Sequence, residues 1–185
     1  MKEVEFSPTY YRVIKTIDGF TEWTGKAVAW ISVPLVLIVF WEVCSRYVFN
    51  LPTEWAYDMS YMLYSALFML GAHFALRRGA HIRTDILWEK FSQTTKGKID
   101  FYAYILMFFP GMILLFGASI DDAWYAFTIG ERSEQTVWRP LLWPLKSIVP
   151  LTALLLMVQG VSEIMKAWFA MRTGREFEHK EGGEV

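Results

Sequence analysis

Apolar and polar positions alternate along this chain in long blocks. The apolar residues gather at about 27–46, 55–76, 99–120 and 145–169. Each block is about 20 residues or longer, which is what a helix rising ~1.5 Å per residue needs to cross a ~30 Å hydrocarbon core. A soluble helix of that length would carry a polar stripe. Residues 33–41 (VPLVLIVFW) and 105–117 (ILMFFPGMILLFG) carry none. The pattern predicts an all-α integral membrane protein with four transmembrane helices over residues 27–170, between an N-terminal segment (1–26) and a polar tail (171–185).

The segments between the blocks have their own signatures. YYRVIKTIDGFTEW (10–23) places Tyr10, Val13, Ile14, Ile17 and Phe20 near helical spacing, with Arg12, Lys15, Asp18 and Glu22 on other faces. This predicts an amphipathic helix lying in the membrane interface, or else an extension of the first span. Asn50 and Pro52 break the chain in a tight turn at 47–54. The 121–144 connection is longer, and its Trp124, Trp138 and Trp143 suit an interfacial aromatic belt or an external contact. After residue 85, Ile86, Leu87, Trp88 and Phe91 are too apolar for a free loop, and Asp85 suits a helix N-cap there. Pro34, Pro110 and Pro150 fall inside the first, third and fourth spans, where each removes a backbone hydrogen bond and predicts a bend. Gly71, Ala75 and Gly79 recur every fourth residue and predict a face of tight helix packing.

Charge adds orientation. Fourteen of the 18 Lys and Arg residues lie in the N-terminal segment, the 77–98 connection and the stretch from Lys166 to the end of the tail; only Arg46, Arg132, Arg139 and Lys146 lie on the other side. The positive-inside rule then places both termini in the cytoplasm, with Arg77 and Arg78 holding the end of the second span at the headgroups of membrane lipids. The N-terminal segment shows no cleavable signal peptide, so the first span is expected to act as signal and anchor. Cys44 is the single cysteine and permits no intrachain disulfide.

Little here suggests chemistry. His81 and Asp85 lack further ligands at metal spacing, the spans hold one histidine (His73) where a bis-histidine haem needs two, and neither a phosphate-binding glycine loop nor a nucleophile triad is present. Anionic lipid headgroups, rather than nucleic acid, are the nearest phosphates to the basic connection. No cofactor is expected, and an enzyme is not. Ionisable residues within the spans still need a reason. Glu42 and Arg46 stand four apart and are expected to pair, with Arg46 bridging on to Asp58 as a brace for the first hairpin; His73 and Glu163 lie toward the other end, with Gln159 as a neutral polar addition.

These landmarks in order resemble the small membrane subunit of tripartite ATP-independent periplasmic (TRAP) transporters, the DctQ-like family. The matching stretches are RYVFNLPTEWAYD (46–58), GAHFALRRGAHIRTD (71–85) and WRPLLWPLKSIVPL (138–151), within a resemblance over roughly 25–170. The element from His81 and Ile82 to Asp85 is its most specific part, and Asp58 departs from the family's usual glutamate. The resemblance implies a non-catalytic subunit of the bacterial inner membrane that braces a large multi-span elevator subunit, which carries the sodium and organic-acid sites. It also implies docking of a periplasmic substrate-binding protein, for which Glu131, Arg132 and Glu134 in the outer loop are candidates. Arg139 belongs to the structural set. A small proton-coupled exporter using Glu42 and a membrane assembly factor are the alternatives from other classes.

Overall fold

The computed structural model describes residues 6–79 and 91–177. His81, Asp85 and the apolar residues 86–88 lie outside the described residues. The helices are α1 (Pro8–Ala29), α2 (Ser32–Tyr47), α3 (Ala56–Arg77), α4 (Gln93–Ala103), a π-helical turn (Tyr104–Phe108), α5 (Phe109–Ile129) and α6 (Trp143–Thr173). They form four continuous stretches long and apolar enough to cross a membrane: Pro8–Tyr47, Ala56–Arg77, Gln93–Ile129 and Trp143–Thr173.

The interruptions follow from proline chemistry. Pro34 has no N–H to offer the Trp30 carbonyl, and its ring crowds that same group. Trp30 O accepts instead from Val33 N at 3.2 Å, and a two-residue turn at Trp30 and Ile31 separates α1 from α2. Ahead of Pro110 the chain widens into the π turn, where Phe109 N bonds Tyr104 O five residues back. Pro150 is buried, and α6 runs through it unbroken.

The third apolar block extends beyond its expected end. Residues 121–129 meet no helix breaker and continue α5 until Gly130, whose left-handed φ of 63° closes the helix. Only residues 131–142 are left to form the loop.

The long α6 is the centre, packing against α5, α4, α3 and α1, while α2 makes its main contact with α3. Burial is inverted relative to a water-soluble bundle. The buried set is mostly small or polar, including Ala126, Ala153, Thr21, Gln159 and Ser162, with Ile14 and Leu76 as large aliphatic members. Large aliphatic and aromatic side chains such as Leu37, Phe40, Leu106 and Leu114 face outward. Helices that associate without a hydrophobic driving force between them use small residues for close approach and polar groups as links, which is what this arrangement shows.

Close approach occurs at glycines other than those expected. A Cβ at Gly25 would lie within 2.9 Å of three Phe74 atoms, and one at Gly97 would lie 2.7 Å from Ala167 O. The face of Gly71, Ala75 and Gly79 is not packed within the chain: Ala75 and Gly79 are exposed, and a Cβ at Gly71 meets nothing within 4 Å. His73 and Leu76 turn inward instead, so the small residues fall on the outer side of α3. Gly79 serves the chain as the left-handed residue just past α3, with φ 66°.

Candidate functional site

The described polar groups assemble at two levels of the bundle. One lies toward the terminal end, between α1, α3 and α6. Along α6, Gln159, Ser162, Glu163 and Lys166 fall at i, i+3, i+4 and i+7, a polar stripe in a largely apolar helix. Facing it, α1 presents Ile14, Asp18, Thr21 and Gly25, all buried. Asp18 accepts from Ser162 Oγ at 2.7 Å and Gln159 Nε2 at 3.1 Å, and its other oxygen lies 2.9 Å from Lys166 Nζ. Lys166 also reaches Glu163 at 2.8 Å, so one ammonium serves two carboxylates. Gln159 completes the ladder, donating to Glu163 at 2.8 Å and accepting from Thr21 at 2.7 Å.

A second strand of contacts joins α1 to α3. His73 Nε2 lies 2.7 Å from the Thr24 hydroxyl while Nδ1 faces the Leu70 carbonyl, which fills both ring positions. Glu22 meets the guanidinium of Arg77, with Arg78 at 3.7 Å and Lys26 at 3.0 Å. The Tyr10 hydroxyl donates to Met165 O, and Phe6, Tyr10, Tyr11, Phe169 and Phe177 cluster at the end of the bundle. Nearby, a cleft of about 330 Å³ between α3, α4 and α6 is lined by both signs of charge, including Arg78, Lys96, Glu163 and Glu176.

At the other end, Glu42 accepts from Arg46 Nε at 2.8 Å and from the Thr53 backbone N–H at 3.0 Å, as well as from the Thr53 hydroxyl. The glutamate thereby ties α2 to the turn that leads into α3. The expected bridge from Arg46 to Asp58 is not made. Asp58, 2% exposed, accepts from Ser133 Oγ at 2.8 Å and from the Thr136 hydroxyl, both on the 131–142 loop. A carboxylate buried on the first turn of α3 needs near donors, and the loop brings two hydroxyls into reach while Arg46 remains half exposed beside Glu42.

The loop is itself tied down. Ser133 N bonds Pro140 O at 2.8 Å, Leu142 N bonds Glu131 O at 2.9 Å, and Arg132 donates to Arg139 O at 3.1 Å, with Arg139 in a left-handed conformation (φ 47°). Lys146 stands between Glu131 at 2.7 Å and Asp122 at 3.1 Å. Of the three charges expected to meet an external protein, Glu131 is therefore engaged internally, Arg132 is exposed with one N–H on Arg139 O, and Glu134 is exposed.

The sequence pattern singles out Glu42, Arg46, Asp58 and His73, each of which has a partner in the bundle, but not the set that joins Asp18 and Thr21 to the α6 stripe through Lys166. The signal was present in the polar stripe at 159–166, which needs a facing polar partner. Among the described residues, no group of three or more His, Cys, Asp or Glu side chains is placed to hold a metal ion.

Comparison with protein families decides what this bundle is. The model described as "Tripartite ATP-independent periplasmic transporters, DctQ component" matches residues 35–170. The chain belongs to the DctQ family. No curated protein and no solved structure matches it. DctQ proteins are the small, non-catalytic membrane component of TRAP transporters and operate with a large membrane subunit and a periplasmic substrate-binding protein. Four spanning helices and this family make the chain a multi-pass protein of the bacterial inner membrane. The DctQ match begins inside α2, so α1 lies outside it while its partners on α6 lie inside.

Proposed function

We propose that this DctQ subunit is a rigid brace in a sodium-coupled importer of an organic acid, a carboxylate or a sulfonate, and that it holds neither the substrate nor the sodium itself. The single observation that carries this reading is the mutual engagement of Asp18, Gln159, Ser162, Glu163 and Lys166 across α1 and α6. A transport path needs polar groups that change partners. Here the carboxylates share one ammonium and the amide is used on both sides, which suits a fixed joint. Glu42, the residue an exporter would use to carry a proton, is occupied by Arg46 and Thr53 as the cap of a hairpin.

In this reading both termini are cytoplasmic, as the Lys and Arg distribution favours. The 131–142 loop faces the periplasm and contributes to docking of the binding protein through Arg132 and Glu134. α1 lies at the interface, and its three faces support this: Ile14, Asp18 and Thr21 toward the bundle, Val13, Phe20 and Trp23 outward and apolar, Arg12, Lys15 and Lys26 outward and charged. Length agrees, because the 40 residues of Pro8–Tyr47 run to about 60 Å of helix, twice the hydrocarbon thickness.

Reconstitution in proteoliposomes tests the reading. Uptake of radiolabelled organic acids should require this chain, the large subunit and the binding protein together with an inward sodium gradient. Transport by this chain alone, or equal uptake when it is omitted, would overturn it.

A further inference from the structure

The outward surfaces of this bundle are not alike. On α2 and α5 they are predominantly aliphatic, with Val36, Leu37, Ile113 and Leu114 turned to the surroundings. The outward stripe of α3 is Tyr57, Tyr61, Tyr64, Phe68, Gly71 and Ala75, spaced four, three, four, three and four residues apart. The four aromatic residues are 61%, 52%, 56% and 71% exposed. This stripe holds no Leu, Ile or Val, and it combines three hydroxyls with the two smallest side chains.

Lipid does not account for that composition. Tyr57 and Tyr61 lie within about 8 Å of the start of α3 and would suit an aromatic belt, but Tyr64 is about 12 Å in, and Gly71 and Ala75 are about 22 and 28 Å in. Among the described residues, none of the three phenol hydroxyls has a hydrogen-bond partner. Hydrocarbon offers Tyr64 no acceptor, and Gly71 and Ala75 offer lipid little surface. A second helix supplies both needs, an acceptor in the upper half and a bulky side chain in the lower. The spacing is that of a left-handed helix pair, in which the same face of each helix stays in contact over several turns.

We propose that this stripe of α3 is the seam on which a transmembrane helix of the large subunit lies. That helix carries hydrogen-bond acceptors opposite Tyr61 and Tyr64 and large aliphatic side chains over Gly71 and Ala75, where the two backbones come closest. The seam rests on the accessory-subunit reading and gives it a face.

The test is photocrosslinking in native membranes. Benzoylphenylalanine is placed singly at Tyr64, at Phe68, at Phe40 on α2 and at Leu114 on α5, and adducts are identified by mass spectrometry after purification of the tagged chain. Adducts to the large subunit from positions 64 and 68, and none from 40 or 114, are expected. Adducts from 40 or 114 alone would overturn the seam while leaving the accessory reading intact, as would adducts from 64 and 68 to lipid or to a second copy of this chain. Failure of any large subunit to co-purify with the unmodified chain would sink the accessory reading and the seam with it. As an independent measurement, Ala75→Leu should reduce co-purified large subunit roughly tenfold at unchanged yield of the chain itself, since added bulk at a close helix contact is poorly accommodated. The same retention as the parent chain would count against the seam.

Discussion

Lys166 is the residue on which the joint between α1 and α6 turns. Its side chain is 11% exposed, and it stands within 2.9 Å of Asp18 and 2.8 Å of Glu163. Loss of one carboxylate leaves the ammonium paired with the other, but loss of the ammonium leaves two carboxylates in a buried place with no cation between them. Lys166→Met is therefore expected to cost roughly 3–5 kcal/mol, and Asp18→Asn distinctly less. Thermal unfolding in detergent gives the comparison, and an equal loss for both would show that the three charges do not act as a unit. The other end of the bundle permits a sharper contrast. Asp58→Ala leaves the hydroxyls of Ser133 and Thr136 without their acceptor and should cost about 1–3 kcal/mol. Arg46→Ala removes an ion pair whose arginine is half exposed and should cost distinctly less. A greater loss from Arg46 would restore it as the brace of the hairpin.

At the scale of the elements, spans, prolines and turns were legible because each rests on local chemistry. Four apolar runs predict four crossings, and Pro34 and Pro110 each bring a local departure from α-helix geometry. The inward side of a helix was less legible. α1 has an apolar face that invites burial, yet it turns Asp18 and Thr21 toward the bundle, because the stripe on α6 offers them hydrogen bonds that lipid cannot. On α3 the small residues suggested packing, but contacts inside the chain fall at Gly25, Gly97 and Gly160. Spacing alone identifies a close-packing surface without saying which neighbour fills it. Two substitutions separate the cases. Gly97→Ala sets a methyl 2.5 Å from Met171 N and should destabilise the chain by roughly 1–3 kcal/mol, because neither backbone can yield without parting α4 from α6. Gly71→Ala meets open space and should stabilise the isolated chain by about 0.5–1 kcal/mol through helix propensity. Thermal shifts of the same sign for both would contradict this assignment of the two faces.

The whole molecule is organised around one long helix, α6, with a polar joint toward the termini and a tied loop at the opposite end. For docking of a binding protein, the internal pair between Glu131 and Lys146 matters, since reversal of Glu131 would damage the loop itself. Glu134 is exposed and is the cleaner probe. Glu134→Lys should slow substrate uptake several-fold while the membrane subunits still assemble, in line with the effect of rim charges on association. Unchanged uptake would assign the loop to positioning α5 and α6 only. The joint at the terminal end has a further consequence for how the chain is made. Its two halves come from opposite ends of the sequence, Tyr10 to Thr24 and Gln159 to Lys166. During synthesis α1 carries an aspartate that finds its cation only when α6 arrives. A chain that stops before α6 lacks every α6 partner of Asp18 and Thr21, so this joint cannot form until the helix that supplies them is complete.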